Sequence, residues 1–395
     1  MSQANASVLN HIGIVFFKEL RDALRDRRTL LSVALPGLLV GPVMLFFLSM
    51  LVAQFESAAE KREVLVAGQQ YGPSLINHIE RQNFTVKAAP ADYEKQLRDS
   101  SLTQPVLVIP KDFEAELARG DQPELEVVTD SANTRASAGA GQVAGLVRGF
   151  NTERARLHLM VRGISSDLLQ PVDMTERDLA SPGARAVRIT SIIPMFVIMA
   201  VLYGCLTAAL DTTSGERERS SLEPLLTNPA QHSTLVAGKW LAVALVGISV
   251  AALASFSFVP AQWLIKSDAL AAQFRFGVGD ALRFAVLLIP VAAAMGAILM
   301  AAAIRTKTFK EAQASASVVL MVFSFMPLIA IMNPGGEAPW HYWVPGLAQY
   351  QQMMLVLKGE ALRMDQWVPA VASSLIIIGG GLAYVAQQMR AAASR

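Results

Sequence analysis

The residues whose types and spacing could do work in this chain lie in a short charged stretch, Asp211 to Lys239. Its core reads Gly215-Glu216-Arg217-Glu218-Arg219-Ser220-Ser221-Leu222-Glu223-Pro224-Leu225-Leu226. Charges of alternating sign (Glu216, Arg217, Glu218, Arg219) match a charged protein surface in a defined orientation, and Leu222, Leu225 and Leu226 supply an apolar face to enter a notch on it. This is the chemistry of a docking contact that transmits displacement, not of bond-making. Ser220 or Ser221 can cap a short helix here, with Glu223 near the positive end of its dipole. A second polar group, Arg305, Lys307 and Lys310, is expected to fix topology and to add to the same contact.

Catalytic constellations are missing from the sequence. It contains no G-x-x-x-x-G-K-[ST] phosphate loop, no H-E-x-x-H pair and no G-x-S-x-G elbow. The five histidines, His11, His78, His158, His232 and His341, are scattered without ligand spacing. The one cysteine, Cys205, reads as packing. No catalytic residue, metal site or cofactor is expected in this chain, and nothing points to nucleic acid.

The elements that must hold the charged stretch are set by where charge is absent. Of 395 residues, 53% are hydrophobic and only 17% charged, which lies on the membrane side of ordinary usage. Uncharged runs extend over Thr29–Phe55, Ile189–Leu210, Trp240–Ile265, Phe284–Ile304, Ala312–Met332 and Gln366–Met389, each 21 residues or longer. At about 1.5 Å of helical rise per residue, each can cross a hydrocarbon core of about 30 Å. Six spans follow. Another uncharged segment, 338–357, contains Pro339, His341, Pro345, Gly346, Gln349, Gln351 and Gln352, too many polar groups to face lipid. It is expected to form a re-entrant or interfacial hairpin with Trp340, Tyr342 and Trp343 in the headgroup belt.

Lys and Arg fix the orientation. With a cytoplasmic N-terminus the inner segments carry 13 of them and the short outer loops 5, while the remaining 16 lie in the long segment 56–188. Both termini and the loop 211–239 are therefore expected in the cytoplasm. The first run is too long for a signal-peptide core and is read as a retained span. Before it, residues 1–28 place Leu9, Ile12, Val15, Phe16, Leu20, Ala23 and Leu24 on one helical face and Lys18, Glu19, Arg21, Asp22, Arg25 and Asp26 on the other, the pattern of an interfacial helix.

Residues 56–188 alternate extended apolar runs with helical patterns, ending in a long helix from about Thr134 to Val161, which argues a mixed α/β domain. That helix has a bare face of Gly139, Gly141, Gly145 and Gly149. Packing on its own sheet is the plain expectation; contact with a second copy is the alternative. The fold class is thus an α-helical polytopic membrane protein: an interfacial helix (1–28), span 1 (29–55), an extracytoplasmic α/β domain (56–188) and a five-span region (189–395).

Several separated motifs now carry a resemblance. Phe17-Lys18-Glu19-Leu20-Arg21-Asp22, Arg25 to Leu31, Gly215 to Arg219, Leu222 to Leu226 and Gly238-Lys239 resemble the type-2 permeases of ABC transporters. So do Leu107 to Phe113 and Asp130-Ser131-Ala132-Asn133 in the inserted domain. Arg305 to Gln313, Val344-Pro345-Gly346 and Val356 to Glu360 are similar to the NatB branch, the membrane partner of a sodium-extruding system. Gln231-His232 departs from the family, which often has a basic side chain there. The resemblance implies an export permease that pairs with a second copy of itself, as a homodimer, or with a homologous permease, and the Lys- and Arg-biased inner face suits a multi-pass protein of a bacterial inner membrane. It implies a separate cytoplasmic ATPase that binds ATP and Mg, with Glu216 to Arg219, Leu222, Glu223, Leu225 and Leu226 as the point of coupling.

Cargo is less legible. A sodium ion needs oxygen ligands, and the runs offer only hydroxyls and amides such as Thr207, Ser249, Ser255, Ser257, Gln262, Ser315, Ser317 and Ser324, plus carbonyls near prolines. An amphiphilic cargo (lipid, drug or peptide) fits the uncharged path as well. Outside transport, a membrane sensor with an extracytoplasmic ligand-binding domain remains the rival reading.

Overall fold

The structure is a computed structural model. It describes residues 2–60, 62–169, 171, 172, 174, 175, 177, 187, 190–218, 231–266, 270, 271, 274, 276–306, 308–333 and 337–393. The chain divides into two compact units, Met1–Ala53 with Leu179–Arg395, and Gln54–Asp178.

Helix α1 (Ser2–Arg25) is followed almost at once by α2 (Arg27–Glu60). The smaller unit then alternates β1 (Glu63–Ala67), α3 (Pro73–Arg81), β2 (Thr85–Ala88), α4 (Tyr93–Arg98), β3 (Val106–Val108), α5 (Phe113–Arg119), β4 (Glu126–Val128) and α6 (Thr134–Val161). Its sheet has the order β2-β1-β3-β4, with β1 parallel to both β2 and β3, and β4 antiparallel to β3. Leu65 pairs with Val106 and Val108 with Glu126. Alternation along β1 sends Val64 and Val66 into a core with Ile79, Phe113 and Phe150, while Leu65 faces Leu97 and Ala136 on the opposite side.

Two motifs met in the sequence are structural here. Asn133 caps α6, accepting from Ala136 N at 3.2 Å and donating to the Leu102 carbonyl at 2.8 Å. Asp130 accepts from Ala132 N and shapes the turn before it. The bare face of α6 divides. A side chain at Gly139 would strike Pro105, and Gly149 backs onto His78, whereas Gly141 and Gly145 face open space. Glu153 of α6 accepts from Arg81 and pairs with buried His78 of α3 at 2.6 Å. The Arg81 hydrogen bond, then that of His78, holds the Glu153 carboxyl below the usual range.

The larger unit continues with α7 (Ile193–Leu210), α8 (His232–Ala261), α9 (Val278–Ala303), α10 (Phe309–Met332), α11 (Leu347–Lys358) and α12 (Met364–Ala393). Among the described residues, six helices are long and apolar enough to cross a membrane: Leu30–Gln54, Ile193–Glu218, His232–Leu264, Val278–Ala303, Phe309–Met332 and Met364–Ala391. Central α8 and α9 approach α7 closely because the crossing point is built from small residues. A side chain on Gly247 would collide with Cys205 Sγ and stand 3.3 Å from Ala292 Cβ. Cys205 packs there, wholly buried.

Segment 338–357 is packed into the bundle rather than lying at its edge. After a tight turn at Pro339–Trp343, Gly346 takes a left-handed φ of 87° and opens α11, whose 12 residues are too short to span the core. The glutamines that argue against lipid exposure are buried and bonded internally. Gln349 accepts from Gly346 N, Gln351 donates toward His341 Nδ1, and Gln352 donates to the Gln366 carbonyl. Tyr342 is buried with them, whereas Trp340 and Trp343 remain half exposed.

Candidate functional site: the ion-paired junction of α1, α7 and α8

Where α7 ends, its backbone widens into a π-helical turn at Asp211–Gly215 before a last helical turn at Glu216–Glu218. Thr213 and Ser214 direct their hydroxyls back to the carbonyls of Ala209 and Leu210, and Thr212 to that of Ala208. The N–H of Glu216 goes to the Thr213 carbonyl, and at this turn the Thr212 carbonyl takes a side-chain donor. Lys239 fills that place, its Nζ donating to Thr212 O at 3.1 Å.

Lys239 lies two turns inside α8 and is only 2% exposed. Its ammonium also contacts Glu216 Oε2 at 2.5 Å and Glu19 Oε1 of α1 at 2.9 Å. Lys18 closes the ring, reaching Glu19 and the other Glu216 oxygen, each at 3.0 Å. Two lysines and two carboxylates therefore join three segments far apart in sequence. Burial alone would raise the Glu19 pKa, but attraction to and hydrogen bonding from Lys239, then Lys18, outweigh it and hold the carboxyl below its ordinary value. Burial likewise opposes charge on Lys18, and its bonds to Glu19 and Glu216 overcome that and keep it protonated.

Glycine permits the approach. A Cβ on Gly238 would stand 2.7 Å from Val15 Cβ and 3.0 Å from the Ile12 carbonyl, so α1 can cross α8 at this level only where α8 has no side chain. This places Glu19 on a buried face, correcting the expectation that it lies with the solvated charges of α1. Leu9 and Leu24, on the apolar face of the helical pattern, are exposed.

Arg217 and Glu218 bind the next helical connection. Arg217 donates to the Thr306 carbonyl at 2.7 Å, and Glu218 accepts from Phe309 N, the first residue of α10, at 3.1 Å. The two polar groups singled out in the sequence are thus brought together, with Arg305 and Lys310 exposed beside them. Glu216, Arg217 and Glu218 are all engaged within the chain, so alternating charge here first serves intramolecular pairing. Arg219, Leu222, Glu223, Leu225, Leu226 and Lys307 lie outside the described residues.

Sequence reasoning overlooked Lys239 and Glu19 as partners. The signal was present as a lone lysine just before an uncharged run and a lone glutamate three residues from apolar Phe16, but neither indicates its mate. Of the hydroxyls considered for a cation path, Thr207, Ser249 and Ser255 bond carbonyls of their own helices, and Ser257 does so while accepting from Gly41 N of α2. Gln262 is bonded to both backbone groups of Phe276.

The segments joined at this junction are the ones that carry the family resemblance, and a match to the family described as ABC-2 family transporter protein extends over residues 14–386. The chain belongs to the ABC-2 transporter family. Among its relatives is the ABC transporter permease protein NatB of Bacillus subtilis (strain 168), 25% identical over 340 residues that cover 84% of each chain. As an ABC-2 member with six membrane-length helices, this is a multi-pass membrane protein. ABC-2 permeases generally work with a cytoplasmic ATPase subunit.

Proposed function

We propose that the chain is the permease subunit of an ABC exporter, driven by a separate cytoplasmic ATPase that pushes on the junction of α1, α7, α8 and α10. The observation that carries this is the convergence on Glu216, Arg217 and Glu218 of bonds to α1, α8 and the head of α10. A displacement applied to the loop after Glu218 reaches three helices through charged contacts instead of being absorbed locally. Arg219, Leu222, Glu223, Leu225 and Leu226 then form the surface met by the ATPase, with Arg305, Lys307 and Lys310 beside it. ATP and Mg belong to that partner, and a second permease copy completes the path. The Lys and Arg distribution puts this end of the bundle in the cytoplasm and unit Gln54–Asp178 outside, in a bacterial inner membrane.

Sodium is the proposed cargo, supported by the motifs shared with the NatB branch. Proteoliposomes containing the permease and its ATPase should move ²²Na⁺ when ATP is added. Leu225→Asp with Leu226→Asp should release the ATPase in a detergent pull-down and abolish that movement. Retained association together with undiminished transport would overturn the coupling assignment, and ATP-dependent activity without sodium flux would overturn the cargo alone.

A further inference from the structure

The turn Pro339–Trp343 encloses a histidine completely: His341 is 0% exposed. Its Nδ1 receives two N–H groups, that of Ala338 N at 3.3 Å and that of Gln351 Nε2 of α11 at 3.1 Å. The first donor is backbone and cannot exchange nitrogen for oxygen as a side-chain amide can, so Nδ1 carries the lone pair and the ring proton sits on Nε2. That Nε2 is buried with no hydrogen-bond partner among the described residues. The ring therefore ties the turn to α11, and it can do so only in its neutral form.

We propose that His341 is an acid-sensitive latch, holding the turn against α11 while neutral and releasing it when Nδ1 takes up a proton. A proton there removes the acceptor of both N–H groups and leaves two ring N–H groups without acceptors in place of one, around a positive charge shut off from water. Turning over the Gln351 amide restores one bond but leaves the Ala338 N–H facing a donor. The titratable and charged groups on the elements packed against the turn are already engaged. Glu337 accepts from Tyr342 at 2.9 Å and pairs with Lys358 at 3.6 Å, Asp365 is bound by Arg363, and Tyr350 of α11 donates to the Ser191 carbonyl. The Trp340 indole, perpendicular to the imidazole with ring centroids 4.3 Å apart, has a donor as its only polar atom. Release spreads through α11, since Tyr350 ties that helix to the residues before α7 and Gln352 ties it to the Gln366 carbonyl of α12. Imidazoles change charge between pH 5 and 8, so the latch is closed at the upper end of that window and open at the lower. The inference rests on the geometry of segment 338–357 and not on coupling to an ATPase.

The test uses the full-length protein in phosphatidylcholine nanodiscs without ATP. Ala348→Cys places a thiol on the wholly buried face of α11, and its reaction with an uncharged disulfide reagent is measured at pH 8 and pH 5. Each rate is divided by that of a cysteine at exposed Gln122, which cancels the reagent's own pH dependence. The ratio should rise about ten-fold on acidification, the effect of losing one hydrogen bond's net contribution. His341→Gln, whose side-chain oxygen can accept from Ala338 N but does not titrate in this range, should keep the ratio low and level. Gln351→Leu, which removes one donor and leaves the imidazole in place, should raise the ratio several-fold already at pH 8 and shrink the gain in acid; it decides the matter if His341→Gln does not fold. A level ratio in the unaltered background, an acid response that survives His341→Gln, or a Gln351→Leu variant that matches its parent at both pH values overturns the latch. None of these results bears on transport, so the permease assignment stands or falls separately.

Discussion

At the scale of single residues, Lys239 decides how the junction holds. A buried ammonium between two carboxylates contributes little net stability against an apolar substitute, but removing one partner strands the others. Lys239→Met leaves Glu19 and Glu216 facing each other beside a lone Lys18, and should lower stability by about 3 kcal/mol, read as a fall in the thermal midpoint in detergent. Glu19→Gln should cost less, because Lys239 keeps Glu216 and the Thr212 carbonyl. The same residues set a pH response. The folded-state pKa of Glu19 lies below its unfolded value, so the stability it supplies is complete above the ordinary carboxylate value of 4.5 and is lost as pH falls through the depressed one. A spin label at exposed Leu9 should therefore gain mobility below about pH 4.5 in the unaltered chain, and Glu19→Gln should flatten that transition. An unchanged Leu9 signal down to pH 3 would remove Glu19 from this role.

Elements are positioned by a few residues that permit or forbid close approach. Since Gly238 meets backbone as well as side chain of α1, Gly238→Val cannot be relieved by a rotamer change and should displace the helix, at a cost of about 1 to 3 kcal/mol. A cysteine placed at Val15 should then react with thiol reagents several-fold faster than in the parent background. In the smaller unit, Asn133→Ala removes the cap of α6 and its bond to the Leu102 carbonyl, and should cost about 1 to 2 kcal/mol. Limited proteolysis within α6 should detect it, while thiol reactivity at the α1 junction should stay constant. Helix α11 shows how far pattern reading reaches: its polar content excludes a lipid-facing span, but burial of Gln349, Gln351 and Gln352 depends on donors and acceptors supplied by Gly346, His341 and Gln366.

For the whole molecule, orientation is the property that every functional reading shares, and the buried position of Cys205 makes it measurable without background. A cysteine at exposed Gln122 should react with an impermeant thiol reagent in intact cells, and one at exposed Arg305 only after the membrane is opened; the reverse pattern would invert the proposed topology. The number of membrane-length helices was legible from the runs without charge, because exclusion of charge from hydrocarbon is a local constraint written along the chain. Helical and extended segments of the smaller unit were legible from periodicity for the same reason. The α-helix α8 nevertheless begins at His232, well before its uncharged run, so a rule based on absent charge leaves Lys239 outside the span and hides it as a partner. By itself the sequence determined a membrane protein with a charged stretch between two apolar helices and no catalytic constellation. Only the tertiary structure decided that Lys239 faces both Glu216 and Glu19, because an ion pair between residues 220 positions apart depends on which helices cross, and crossing is set by packing at Gly238 and not by any local pattern.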